Sequence, residues 1–169
     1  FSKTTDGGKT WSTPPQDIVH TSQNTQTIGN QIVVDPRNGT LYDFFDLIVH
    51  PTNVAFNVAF VKSTDGGTTW TQPQIISKLG TTFVTDPNTG QSIRTGDIIP
   101  EPAINPANGQ LYVVWQDARF SGFAHDDVAF AASTDGGLTW SAPVKINRTT
   151  NGAAAFTPTV RVASDGTVG

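Results

Sequence analysis

Short apolar runs separated by turn residues recur along this chain of 169 residues. Ile32-Val33-Val34, Leu111-Tyr112-Val113-Val114-Trp115 and Val128-Ala129-Phe130-Ala131 have the length and the β-branched or aromatic content that are typical of strands. No convincing helical period of useful length accompanies them. The pattern of apolar and polar positions therefore predicts an all-β fold.

A nearly identical string of eight residues occurs three times, as Thr4–Trp11, Ser63–Trp70 and Ser133–Trp140. Each copy contains Asp-Gly-Gly followed by Thr-Trp, with a Phe five residues before the Asp and a Pro three residues after the Trp. Self-similarity at a long period is the sequence mark of propellers and solenoids. The repeat therefore predicts a fold built from stacked, equivalent units.

Each unit is predicted to hold four antiparallel strands. In the first whole unit, strand A covers about 31–34, strand B about 41–46, strand C about 54–63, and strand D runs from after Trp70 to about 76. Asn38-Gly39 and Asn108-Gly109 favour tight turns between A and B, and the Asp-Gly-Gly string is the turn between C and D. The Trp that follows this turn is expected to pack against the next unit. Four-stranded units around a common axis make a β-propeller. We predict one partial propeller domain over 1–169, with two whole blades (30–76 and 100–146), the end of another blade (1–15) and the start of a further one (157–169).

Charge and composition remove several classes of function. The net charge of −4 and the absence of a basic patch with interleaved aromatic residues argue against nucleic acid as a partner. No apolar run is long enough to insert into a bilayer. The three histidines lack metal-ligand spacing, and neither a Ser-His-Asp arrangement nor a glycine-rich phosphate loop stands out. We therefore expect no cofactor.

The three strings resemble the Asp-box, or BNR, repeat, whose pattern is Ser/Thr-x-Asp-x-Gly-x-Thr-Trp. The nearest family by overall appearance is the sialidase-like group of six-bladed propellers. In that group the Asp-box turns lie on the face opposite the active site. The resemblance therefore implies structural roles for nine residues, namely Asp6, Gly8, Trp11, Asp65, Gly67, Trp70, Asp135, Gly137 and Trp140.

Strand order assigns the other polar residues to a face. If the A–B and C–D turns share one face, the other face receives the segments 46–53, 77–100, 117–127 and 147–157. These longer, more variable segments are where a rigid scaffold carries its binding groups. They contain His50, Arg94, Asp97, Asp117, Arg119, His125, Asp126, Asp127 and Arg148, and Glu101 directly follows the second segment. Tyr42 and Tyr112, which begin strand B on the Asp-box face, are excluded as nucleophiles in this arrangement.

Glu101 is the candidate catalytic residue. It is the sole glutamate of the chain, it stands at the entry to an innermost strand, and its counterpart in the preceding unit is Gln31. In sialidases a glutamate at such a position polarises a tyrosine nucleophile, and an arginine of a triad grips the sugar carboxylate with bidentate hydrogen bonds. The resemblance implies that role for Glu101, and it implies a grip on the sugar carboxylate for Arg119. Asp117, Arg94 and His125 are further candidates for substrate binding because they lie on the same face. The alternative for Glu101 is a solvated residue between two prolines.

A calcium site is the weaker candidate on the same face. Asp117, Asp126 and Asp127 supply the carboxylate oxygens that Ca²⁺ prefers. A hydrophilic loop tip collects the same residue types without binding any ion, and we favour that interpretation, with no metal.

Two functions follow from the resemblance. The first is a secreted exo-glycosidase of the hydrolase class that removes terminal sialic acid or a related acidic sugar. The second is a non-catalytic Asp-box propeller that binds a glycan or a protein on its loop face. The expected partner is a glycan or glycoconjugate, and the expected location is extracellular or periplasmic. Because about three blades would expose apolar faces and strand edges, we expect the remaining blades to come from a longer chain or from self-association that closes the ring.

Overall fold

The computed structural model describes residues 1–50 and 54–169, which form two four-stranded antiparallel sheets with meander order. The all-β prediction is confirmed, since the described residues contain no α-helix and a single 3-10 turn at Arg119–Ser121. No helix in this part of the chain is long and apolar enough to cross a membrane. The first sheet consists of β1 (Thr25–Val34), β2 (Leu41–Val49), β3 (Phe56–Ser63) and β4 (Gln74–Leu79), and the second of β5 (Glu101–Ile104), β6 (Leu111–Asp117), β7 (Asp127–Ser133) and β8 (Val144–Lys145).

The strands depart from the predicted bounds mainly at the loop face. β1 starts at Thr25 because residues 25–28 pair with the far end of β2, beyond a bulge between Ile28 and Gln31. Because β2 continues to Val49, Asp46 lies inside a strand and not in the predicted loop 46–53; positions 51–53 of that loop lie outside the described residues. The last unit, predicted at 157–169, shows a narrow hairpin with a bridge between Val162 and Val168.

Each Asp-box string forms a turn held by its own side chains. In the second copy, Ser63 Oγ and Thr69 Oγ1 donate to the Asp65 carboxylate at 2.8 and 2.6 Å, and the amide of Gly67 donates to Ser63 Oγ at 2.8 Å. The two glycines take φ of +70° and +87°, a region that favours residues without a Cβ. In the other two copies, hydrogen bonds led by the threonine hydroxyl lower the pKa of Asp6 and of Asp135 to about 2. The Asp-box carboxylates are thus ionised and fully occupied with their turns.

The Asp boxes also join neighbouring units, and they do so in one repeated way. Trp140 packs edge-on against Phe60 and Phe44 of the first sheet, with ring centroids 5.8 and 6.0 Å apart, and Lys62 Nζ donates to the Gly136 carbonyl at 3.3 Å. At the previous junction Trp70 packs on Phe1 at 5.2 Å, and Lys3 Nζ donates to the Gly66 carbonyl. The tryptophan therefore packs on the preceding unit, not on the following one as the sequence led us to expect.

The main core lies between the two sheets. It combines Tyr42, Phe44, Val58 and Phe60 of the first sheet with Leu111, Val113, Trp115, Ala129 and Ala131 of the second. Because side chains alternate across a strand, the opposite faces carry two further clusters, one of them containing Phe45, Ala59 and Val61, and the other Tyr112, Val114 and Val128. Both faces of each sheet are therefore built for packing, as blades of a stacked array require.

Candidate functional site

The end of the sheets opposite the Asp-box turns carries most of the remaining polar residues. We call this end the loop face; its described parts are residues 46–50, 54–56, 77–101, 117–127 and 147–157. Tyr42 lies at the other end, with its hydroxyl 3.3 Å from where a Cβ on Gly136 would stand. Tyr112 bonds Gln110, beside the A–B turn, at 2.7 Å. Neither tyrosine of the chain reaches the loop face.

Glu101 begins β5, the first strand of the second sheet, at the loop face. Gln31 Nε2 donates to Glu101 Oε1 at 2.7 Å, and Arg161 Nη1 lies 3.7 Å from Oε2. The glutamate side chain remains one-quarter exposed. Glu101 is therefore a carboxylate oriented by an amide from the first sheet and accompanied by a guanidinium from the final hairpin. Sequence reasoning did not name Arg161 as a site residue. The only indication in the sequence is that a polar residue stands between Val160 and Val162.

Arg119 is committed to a bidentate ion pair with Asp117. Its Nε donates to Asp117 Oδ1 at 2.8 Å and its Nη2 to Oδ2 at 2.7 Å. Nη2 also donates to Ser77 Oγ at 3.0 Å and to the Lys78 carbonyl, both on β4 of the first sheet. Trp115 Nε1 supplies a further bond to the buried Asp117 carboxylate. The pair therefore clamps the two sheets together at the loop face.

We expect Arg119→Leu to lower the free energy of unfolding by about 1–3 kcal/mol, because the buried Asp117 carboxylate would lose its charged partner. The carboxylate would keep two N–H donors, Trp115 Nε1 and the backbone amide of residue 119. Chemical denaturation of the variant checks this. Arg94→Leu is the matched control, because Arg94 is exposed and forms no side-chain hydrogen bond among the described residues. An Arg119 variant as stable as the Arg94 variant would contradict the clamp.

Three adjoining clefts on the loop face converge on Phe83. The largest, about 640 Å³, lies between the sheets and contains Asp117 and Arg119. The second, about 330 Å³, contains Arg94, and the third, about 390 Å³, contains His125. All four residues expected to bind substrate thus line clefts that share one phenylalanine, and Glu101 lines none of these three. Sequence reasoning missed Phe83, because a lone Phe in a long loop gives no periodic signal.

Asp46 is a second residue whose importance sequence reasoning missed. Its carboxyl group is fully buried, and one oxygen accepts a hydrogen bond from the Asn57 backbone amide at 2.7 Å. The other oxygen has no hydrogen-bond partner among the described residues. Burial, with a smaller contribution from the charge of Asp97, raises the pKa of Asp46 to about 7. Asp97 itself lines the two clefts that contain Arg119 and Arg94.

The carboxylates considered for calcium are engaged separately. Asp126 accepts from the Thr82 amide and from Gln116 Nε2 at 2.8 and 2.6 Å. Asp127 pairs with Lys145 Nζ at 2.7 Å, and hydrogen bonds from Lys145 and Asn147 outweigh burial and lower its pKa. Within residues 1–50 and 54–169, no group of three or more acidic or histidine side chains is arranged to hold a metal ion. The structure does not bring Asp117, Asp126 and Asp127 together as a cation site.

The histidines and Arg148 of the loop face make few side-chain contacts. His125 Nε2 lies 3.9 Å from Asp127 Oδ2, and the ring of His50 contacts the Gln26 amide at 2.9 Å. Arg148 is exposed. The positions that the sequence grouped by face are therefore spread over several clefts.

The geometry defines a class of protein first: an all-β repeat protein in which four-stranded meander sheets stack through Asp-box turns. The model of the BNR repeat-like domain matches residues 1–168, so the chain belongs to that family. No curated protein matches the chain.

Two solved structures share the fold. A protein of unknown function from Dyadobacter fermentans DSM 18053 is 21% identical with a TM-score of 0.62, and the match covers 99% of this chain and 48% of that one. The Hadza microbial sialidase Hz136 is 19% identical with a TM-score of 0.50, over 87% of this chain and 32% of that one. The chain spans about half the length of the first structure and a third of the second. The chain therefore shares its all-β fold of four-stranded antiparallel sheets with part of each of these structures.

Proposed function

We propose that the chain is part of a six-bladed, sialidase-like exo-glycosidase that removes terminal sialic acid or a related acidic sugar from glycans. The observation that carries the proposal is the placement of Glu101, which stands at the loop-face end of a first strand between Gln31 and Arg161. A glycan substrate fits an extracellular or periplasmic location.

The surroundings of Glu101 suit a positioned base. One carboxylate oxygen is fixed by Gln31, and the other faces Arg161 and solvent. A carboxylate oriented in this way can accept a proton from a nearby hydroxyl, as general-base catalysis requires. Because both tyrosines of this chain lie at the other end of the sheets, the proposal takes its tyrosine nucleophile from another blade.

A second candidate is a propeller that binds glycans without hydrolysing them. The ion pair between Arg119 and Asp117 favours it, because a guanidinium already engaged by a buried carboxylate has few donors left to grip a sugar carboxylate. Under this alternative the clefts around Phe83 bind and Glu101 is structural.

Full-length protein assayed on a fluorogenic sialoside distinguishes the two. We expect hydrolysis, and we expect Glu101→Gln to lower kcat by about 100-fold or more, the usual scale for general acid–base catalysis. Asp17→Asn, which changes an exposed carboxylate paired with His20, is the control and should keep full turnover. Unchanged kcat in Glu101→Gln would remove Glu101 from the mechanism, and absent hydrolysis with retained glycan binding would favour the second candidate.

We also propose that further blades complete the ring and come from the same longer chain, with self-association of copies as the alternative. Phe1 and Phe60 each pack against the glycine and the tryptophan of the next Asp box. Phe130 has the same position in its own unit and stacks on Tyr112. At the other end of the array, Trp11 of the first Asp box is 58% exposed, whereas Trp70 and Trp140 pack on a preceding unit. Light scattering checks this: a well-behaved folded monomer of residues 1–169 alone would contradict both sources of the missing blades.

A further inference from the structure

We propose that the cleft between the two sheets binds a neutral hexopyranose unit of a glycan, stacked on Phe83 and Phe123. The inference rests on the proposal that the loop face takes glycans, but it depends neither on hydrolysis nor on Glu101. Glu101 is outside the lining of this cleft, so the two sites can be tested separately.

Phe83 is the most exposed large apolar side chain among the described residues, at 90%. It lies where the three clefts meet, so a ligand in any of them reaches its ring. Exposing a whole aromatic ring forgoes the burial that would otherwise stabilise the fold. Large apolar side chains grouped at a concave surface mark ligand-binding grooves.

Phe123, the second exposed aromatic residue of the cleft, has a strained backbone. Its backbone has φ of +65°, the left-handed region that bulky residues avoid, and its side chain is 62% exposed. The ring lies over Gly80, where an added Cβ would come within 2.8 Å of the ring carbon Cε1. Hydrogen bonds from the Phe123 amide to the Ala118 carbonyl and from the Ala118 amide to the Gly80 carbonyl fix the two segments. A strained residue fixed by its surroundings, with its ring presented to solvent, indicates a functional position.

The charges of the cleft favour a neutral ligand. Two cations and two carboxylates line it, and Arg119 and Asp117 neutralise each other. Lys78 and Asp97 remain as one donor and one acceptor group. A peptide or nucleic acid with net charge gains nothing from such a balance, whereas sugar hydroxyls can bond both groups.

A hexopyranose also matches the shape and the apolar content of the cleft. The volume of about 640 Å³ lies within the range of small-ligand pockets, which pair apolar walls with a few polar groups. A pyranose ring presents C–H groups on its faces and hydroxyls on its rim, so a ring stacked on phenylalanine still leaves its hydroxyls free. A β-galactoside has the broadest C–H face of the common hexoses, because its axial 4-hydroxyl leaves the other face unobstructed.

Titration of the full-length protein with lactose, followed by calorimetry and by saturation-transfer NMR, tests the inference. We expect saturable binding that weakens by about five- to tenfold in Phe83→Ala and again in Phe123→Ala, the effect of losing one aromatic contact. Leu138→Ala is the matched control, because Leu138 is 72% exposed in an Asp-box turn; it should bind as the wild type does. Phe83→Ala should keep the wild-type Tm, because its side chain is almost wholly exposed.

Four results would overturn the inference. The first three are no saturable binding of lactose, equal binding by the wild type and Phe83→Ala, and a Tm drop in Phe83→Ala that reveals a packing role. Exclusive binding of sialyllactose, lost in Glu101→Gln and kept in Phe83→Ala, would also place recognition at Glu101 instead. Lactose binding without sialoside hydrolysis would support the aromatic cleft and reject the exo-glycosidase, so the two proposals fail independently.

Discussion

Replacing Gly137 by alanine should lower the free energy of unfolding by about 2–5 kcal/mol. Gly137 has φ of +86°, where any side chain is strained, and an added Cβ would stand 2.6 Å from Phe60 Cζ. Phe60 cannot move aside, because it is fully buried between Phe44 and Trp140. Denaturant unfolding with an unchanged m-value measures the loss.

Gly8→Ala is the matched control for this expectation. Gly8 is the equivalent residue of the first Asp box, with φ of +88°, and no atom of the described residues comes within 4 Å of its hypothetical Cβ. The control should therefore lose only the free energy that a side chain costs at positive φ, about 1–2 kcal/mol. Equal losses in the two variants would show that the close approach to Phe60 contributes nothing, and that Asp boxes do not hold the sheets together.

Replacing Asp46 by asparagine should stabilise the protein at pH 8 by about 2–4 kcal/mol and have little effect at pH 4. Burial raises the pKa of Asp46 from 3.8 to about 7. Between these values the folded state keeps a proton that the unfolded state has lost, so the stability of the wild type falls as the pH rises and levels off above about pH 7. Asparagine removes the ionisation and can still accept the hydrogen bond from the Asn57 amide.

Unfolding free energies of the wild type and Asp46→Asn, measured from pH 4 to pH 8, check this expectation. Asp86→Asn is the control: Asp86 is a partly exposed turn residue whose pKa is lowered by the Asn88 backbone amide, so its change should leave the falling slope in place. If the unfolding free energy of the wild type rose from pH 4 to pH 8, and that of Asp46→Asn rose in parallel, the raised pKa of Asp46 would be wrong.

The Asp-box turns and the loop face divide the molecule between them. Gly137, Trp140 and Phe60 fix how one sheet meets the next, and their carboxylate neighbours are fully used in turns. The loop face carries instead the features that cost stability: buried Asp46, strained Phe123 and exposed Phe83. Costs of this kind gather at functional sites, which agrees with a binding role for that face.

Much of the fold could be predicted from the sequence because its signals are local. Glycines at positive φ, Asn-Gly turns and alternating apolar residues specify strands and turns within a few residues of one another, and three copies reinforce each other. The order of strands then assigned Glu101, Arg94, Asp117, Arg119 and His125 to one end of the sheets. The exact bounds of β1 and the direction in which Trp140 packs depend on partners far along the chain, and here the predictions were incomplete or wrong.

The local sequence pattern predicted less of the candidate site than of the fold. Asp-Ala-Arg at 117–119 has the composition of a ligand-gripping loop, yet the fold pairs Asp117 with Arg119 and uses both to clamp β4. Phe83 and Phe123, forty residues apart, have no sequence signal that connects them. Only a three-dimensional arrangement brings such residues to one cleft.

The sequence by itself determined the all-β class, the four-stranded repeat and the Asp-box turns, because these follow from backbone preferences and short-range hydrogen bonds. Tertiary structure alone decided which polar groups are free and which are occupied, because burial and charge pairing arise only when distant segments pack. That is why the raised pKa of Asp46, the engaged guanidinium of Arg119 and the convergence of three clefts on Phe83 emerge from the packed sheets and not from the repeat.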